Sequence, residues 1–159
     1  QFIQADAASR RGLIQVLGRM ARIRQLVTCL AVSAAVAGCA LLDSGVEWED
    51  GQFVVIWIDL YSNAHLAHRV DESASSGITE PCVTAVGSNS SVIVAERIPP
   101  GTKASEFYVV YKGRFSPSEP QSAWMAGPLS AAGYAALAAR EPMPILREVV
   151  PRKVCEDAA

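Results

Sequence analysis

Residues 82–97 read CVTAVGSNSSVIVAER, and the fold follows from them. Cys82 to Val86 is small, apolar and β-branched. Val92 to Arg97 starts apolar and ends charged. Between them Gly87-Ser88-Asn89-Ser90 has the length and chemistry of a hairpin connection, because Gly and Asn tolerate the backbone angles a tight reversal needs. Two antiparallel strands are therefore predicted, and Pro99-Pro100-Gly101 stops the second of them.

Upstream of the hairpin, Phe53-Val54-Val55-Ile56-Trp57-Ile58 is apolar at every position before Asp59. A strand of that kind has both faces covered, so it reads as a central strand. Trp48-Glu49-Asp50-Gly51 ahead of it is a turn signal. Leu60 to Ala64 reads as a turn around Ser62-Asn63, and Leu66 to Glu72 as a more exposed strand. Residues 73–81 are small and polar, hence loop. Glu106 to Lys112 is a further strand with a charge at each end, and Ala123 to Ala126 a short one closed by Gly127-Pro128. The pattern then changes. Ser130 is a good helix N-cap, Tyr134 and Leu137 share a face three residues apart, and Glu141-Pro142 ends the helix because the residue before proline avoids helical angles. Ile145 to Val154 is read as either a last edge strand or a short helix.

There is no βαβ rhythm and no repeat, which excludes a parallel sheet or a solenoid. The expected fold is α+β, mostly β: an antiparallel meander of about five or six strands with one C-terminal helix packed on the sheet. One short helix cannot cover a whole sheet. A curled sheet, a partial barrel or a dimer contact must supply the rest of the cover.

Residues 20–42 are of another kind: MARIRQLVTCLAVSAAVAGCALL. Arg22 and Arg24 precede an uncharged run of apolar and small residues that closes on Val36-Ala37-Gly38-Cys39. A positive segment, an apolar segment and a small-residue cleavage site make a secretory signal peptide. The run is too short and too alanine-rich for a good membrane span, although an uncleaved anchor is the competing reading. The closing tetrapeptide resembles the lipobox of bacterial lipoproteins. That resemblance implies a Cys39 that is acylated and becomes the new N-terminus, with three chains on it. Ala40 in place of aspartate leans toward the outer membrane if the source is Gram-negative. WEDGQFVVIWID, VTAVGSNSSVIVAER, FYVVYK and AGPLS are similar to a pattern in small bacterial lipoproteins and related β-rich proteins of unknown function, over roughly residues 48–140. The organisation expected is an upstream extension or cloning remnant at 1–19, a signal peptide at 20–38, an anchor and short linker at 39–47, and one β-rich envelope domain at 48–159. The Arg10-Arg11 pair resembles a twin-arginine signal only superficially, because Arg19, Arg22 and Arg24 break the apolar run such a signal needs behind it.

Charge divides at the same place. Five Arg and one Asp precede Cys39; nine Lys and Arg and fifteen Asp and Glu come after it, so the net +4 and −6 sum to −2. An acidic domain without a basic cluster is not a nucleic-acid binder. Its membrane attachment is expected through the anchor, and its partner is an unidentified envelope protein or component. Of four cysteines, Cys29 leaves with the signal and Cys39 takes the lipid. Cys82 and Cys155 remain in an oxidising compartment, as one disulfide or as two buried thiols.

No catalytic constellation stands out. His65 and His68 are the only histidines; on a helix they would share a face and a metal, with Asp59, Asp71 or Glu72 adding oxygen, but on a strand they part. They are weak metal candidates and support the alternative of a small-ligand or metal-binding lipoprotein. Ser88 and Ser90 lack the strand-to-helix elbow of a hydrolase nucleophile. Glu47, Glu49 and Asp50 bracket Trp48, yet a turn does not fix the carboxylate spacing glycoside chemistry needs. Phosphate and dinucleotide loops are missing, and no cofactor is expected. Trp48, Trp57, Trp124, Tyr108 and Tyr111 are assigned to the core, with any exposed one an interface candidate. The expectation is a non-enzymatic, lipid-anchored binding or structural module.

Overall fold

The computed structural model describes residues 43–158. The expected signal peptide, Cys29 and the expected lipidation site Cys39 lie outside the described residues.

The domain is mostly β, as its sequence predicts, in two antiparallel sheets with few helices. The first sheet is a meander of β1 (Ser44–Asp50), β2 (Phe53–Ile58), β3 (Leu60–Arg69) and β4 (Ser75–Gly77). The second contains β5 (Val83–Ser88), β6 (Val92–Arg97), β7 (Glu106–Tyr111), β8 (Met125–Ser130) and β9 (Arg147–Glu148), in the order β8-β7-β6-β5-β9. Among the described residues three short α-helices complete it: α1 (Gln121–Trp124), α2 (Ala131–Ala138) and α3 (Arg152–Glu156).

The main core lies between the sheets. Phe53, Val55, Trp57 and Leu66 of the first sheet meet Val83, Val86, Ile93, Ala95 and Val110 of the second. The period of two puts Val92, Val94, Phe107 and Val109 on the other face of the second sheet. There α2 covers them with Tyr134 and Leu137, helped by Met143 and Leu146. Tyr134 stacks on Phe107 with ring centroids 4.4 Å apart. So Val92–Ala95 of β6 and Phe107–Val110 of β7 are apolar because one face meets a sheet and the other a helix. The cover expected from sequence is a curled sheet, a partial barrel or a dimer contact; a separate second sheet supplies it instead. Each fully buried valine or isoleucine in it contributes roughly 1.5–3 kcal/mol.

Local chemistry accounts for the turns. In the β5–β6 hairpin the Asn89 side-chain oxygen accepts from the amides of Ser91 (2.8 Å) and Val92 (2.9 Å), which fixes the reversal. Gly51, at φ +62°, opens the two-residue loop between β1 and β2. The Ser130 hydroxyl accepts from the Gly133 amide (3.2 Å) as the N-cap of α2. Gly87 lies under the segment leading into β9, and a Cβ there would collide with the Ile145 carbonyl oxygen.

Four boundaries differ from expectation. Residues 44–47, read as linker, begin β1. That edge strand carries only Val46 and Trp48 as large apolar residues, and a bulge between them breaks the alternation that would have marked it. Leu60 to Ala64 is strand, not turn; the chain reverses at Asp59 alone, whose φ of +66° is one that aspartate tolerates. Ala123-Trp124 belongs to α1, and the strand comes after it. Residues 75–77, in a stretch read as loop, form β4 against β3. The C-terminal stretch agrees with both of its alternatives in turn: β9 pairs with Ala85 and Val86, then α3 begins after Pro151.

Candidate functional site

The residues singled out in the sequence fall in three places. The first is the end of the first sheet where the chain comes in. The Asp59 amide donates to the Asp43 carbonyl (2.7 Å), which ties the incoming chain to the β2–β3 reversal. Around that knot Val46, Ile58, Leu60 and Tyr61 are exposed. Tyr61 stacks on Trp57 at 4.6 Å, and the Trp57 indole N–H donates to the Glu47 carboxylate (2.8 Å). The charge of Glu47 beside it, more than that of Asp43, raises the Tyr61 hydroxyl above its usual pKa. A shallow groove of about 580 Å³ runs past Val46, Ile56 and Ile58 to Ser73–Ser75.

Beyond Glu47, the other two carboxylates bracketing Trp48 have their own partners. Glu49 forms a two-pronged pair with Arg69 (2.8 and 2.7 Å). Asp50 pairs with Lys112, whose ammonium also donates to the Asn89 carbonyl (2.6 Å). The three therefore do not converge on one cleft. The Lys112 hydrogen bond, then one from the Ser88 hydroxyl, holds Asp50 below the ordinary carboxylate range. A carboxyl depressed by folding adds stability above its unfolded pKa and loses it as pH falls through the folded value. Lys112→Met is therefore expected to cost about 1–2 kcal/mol at neutral pH, a figure tempered by partial exposure. It is also expected to flatten the acid dependence of stability below about pH 4. Urea titrations from neutral to acid pH measure both.

The second place is β3. His65 and His68 lie on opposite faces of the strand. The His65 ring shares a hydrogen bond with the Asn63 carbonyl (2.9 Å) and lies beside Gly77. His68 packs edge-on to Phe115 at 5.1 Å, and its Nδ1 has no hydrogen-bond partner among the described residues. The strand does not bring the two rings to one site, and among the described residues no three His, Cys, Asp or Glu side chains cluster as metal ligands would.

Compared with protein-family models, curated proteins and solved structures, the chain matches none.

The third place is beneath α3. Cys82 and Cys155 are free thiols, fully buried, and gathered with Ile98 in one small cluster. Cys82 takes φ +73°, and its carbonyl accepts from the Ile98 amide (3.0 Å). Burial, then hydrogen bonding with the Cys82 thiol, pushes the Cys155 pKa up to about 12. A polar frame holds the ends of this cluster together. Arg97 donates to Glu106 (2.8 Å) and the Pro81 carbonyl (2.7 Å) and pairs with Glu80. Arg152 of α3 pairs with Glu96. The sequence held no signal for Arg97 as organiser of this corner, because its partners are spread from residue 80 to residue 106.

Of the aromatics assigned to the core, Trp57, Trp124 and Tyr108 are buried, whereas Trp48 and Tyr111 are half-buried. Among the described residues the exposed ring is Tyr61, in a stretch read as a turn.

Proposed function

We propose that the chain is a lipid-anchored, non-enzymatic domain of the bacterial cell envelope that binds or braces another protein or envelope component. The observation that carries this reading is Val36-Ala37-Gly38-Cys39 behind an arginine-flanked apolar run. The acidic domain and the separate engagement of Glu47, Glu49 and Asp50 support a role other than catalysis. Among the described residues no helix is long and apolar enough to cross a membrane. On this reading attachment is by acyl chains, each buried methylene of which contributes about 0.8 kcal/mol, so that two or more chains hold firmly.

On the same reading Cys82 and Cys155, free thiols in the structure, are oxidised to a disulfide in that compartment. The two thiols give up two protons and two electrons to the disulfide of an envelope thiol oxidoreductase, which leaves as a dithiol.

Metabolic labelling with an alkynyl fatty acid tests the anchor. The wild-type chain is expected to carry label and to fractionate with membranes. Cys39→Ser is expected to carry none and to leave that fraction. A wild-type chain without label ends the proposal.

A further inference from the structure

We infer that the end of the first sheet bearing Ile58, Leu60 and Tyr61 is a membrane-contact surface, seated in the uncharged interfacial zone of the lipid layer that holds the anchor. This rests on the acylation of Cys39 proposed above. It adds a second point of contact, which fixes how the domain stands on the membrane.

The first observation is where the apolar surface lies. Ile58, Leu60 and Tyr61 are 45%, 62% and 44% exposed, and Val46, diagonal to Ile58 across the β1–β2 ladder, is 54% exposed. Single exposed apolar residues need no explanation, but neighbours at one tip do. Tyr61 adds a ring with an apolar body and a polar end, the side-chain type that settles at membrane–water boundaries.

The second observation is the tether. The Asp59–Asp43 hydrogen bond holds the first described residue to this same tip. Four residues lead from Cys39 to Asp43, and fully extended they span at most about 14 Å. By contrast Leu60 to His68 of β3 lies against Ile58 to Phe53 of β2, a span of about 17 Å, with Val70 two residues further on. Val70, 64% exposed at the far end, is beyond the reach of that tether when the tip faces the lipid. The acyl chains therefore bring one particular end of the sheet to the membrane, and it is the end with the apolar residues.

Charge narrows the lipid. Asp43, Glu47 and Asp59 surround the tip, and no Lys or Arg occurs from residue 43 to residue 68. Anionic headgroups are repelled there, so the tip is suited to zwitterionic lipid.

The test uses the full acylated chain in phosphatidylcholine vesicles containing a photoactivatable phosphatidylcholine, with adducts mapped by mass spectrometry. Adducts at residues 58–61 are expected to exceed those at Val70 and at Ile145 roughly tenfold, the ratio that burial of one leucine-sized side chain represents. Leu60→Ser with Tyr61→Ser, both at exposed positions, is expected to remove that excess. Phosphatidylglycerol vesicles are expected to label the tip less. Equal labelling of residues 58–61 and Val70, or an excess unchanged in the double variant, overturns the inference. So does a tip that crosslinks in intact cells to a protein and not to lipid. Intact mass reads the acyl chains separately: with them present and the tip unlabelled, only this inference falls; with them absent, the anchor reading falls and takes this one with it.

Discussion

Trp124→Ala is expected to lower the folding free energy by about 3–5 kcal/mol, the usual range for emptying a buried tryptophan site. Trp124 is buried at the mouth of the sandwich, where it meets Phe115 edge to face at 4.9 Å. Phe115 in turn packs edge-on against Phe53 of β2 (4.8 Å) and His68 of β3 (5.1 Å). The indole N–H donates to the Glu119 carbonyl (3.3 Å). Truncation therefore removes the ring that backs Phe115 where it packs against both inner strands of the first sheet. Domains of this size are stable by only about 5–15 kcal/mol, so the variant sits near the threshold of folding. Urea denaturation reads the loss. A shift below about 1 kcal/mol would mean that this corner relaxes freely and that the aromatic contacts carry little of the core.

The second large effect concerns Cys82 and Cys155. A bridge between them closes a loop of roughly 70 residues, which in the chain-entropy model stabilises by about 4 kcal/mol. If the proposed envelope location and bridge hold, chain recovered from that fraction should lose about that much when reduced. Cys155→Ser should behave alike with and without reductant. The reduced wild type should resist alkylation near pH 8 while folded, because the buried Cys155 thiol has a pKa of about 12 and supplies almost no thiolate. Unfolding should release both thiols to the reagent. Envelope-derived chain with two free thiols, and a denaturation midpoint indifferent to reductant, would leave the pair as a packed apolar contact only.

The parts of this fold that were legible in sequence are those whose partners are local or whose composition is extreme. The Gly-Ser-Asn-Ser hairpin, the doubly buried strand at Phe53–Ile58 and the Ser130 cap each depend on residues a few positions apart. Where longer-range geometry decides, the sequence was silent. Nothing in Ser44–Asp50 announces a strand, since its pairing is enforced by β2 and its alternation is broken by a bulge. Nothing in 60–64 distinguishes a turn from a strand until Asp59 is seen to make the reversal by itself. The histidines were legible in one respect: three residues apart on a strand, they face opposite ways. The tip surface was not legible, because Val46, Ile58, Leu60 and Tyr61 are ordinary one by one and become a patch only through the register of three strands.

Gly87 has a consequence for how sequences of this fold can vary. The Ile145 carbonyl occupies the space any side chain at 87 would need, so the position is closed even to alanine while residues 142–148 keep their course. A descendant with a larger residue there must route that segment elsewhere. The outer flank of β5, now capped by two residues of β9, would then stand open to strands from other molecules. The absent methyl group at 87 thus lets that edge of the second sheet stay covered.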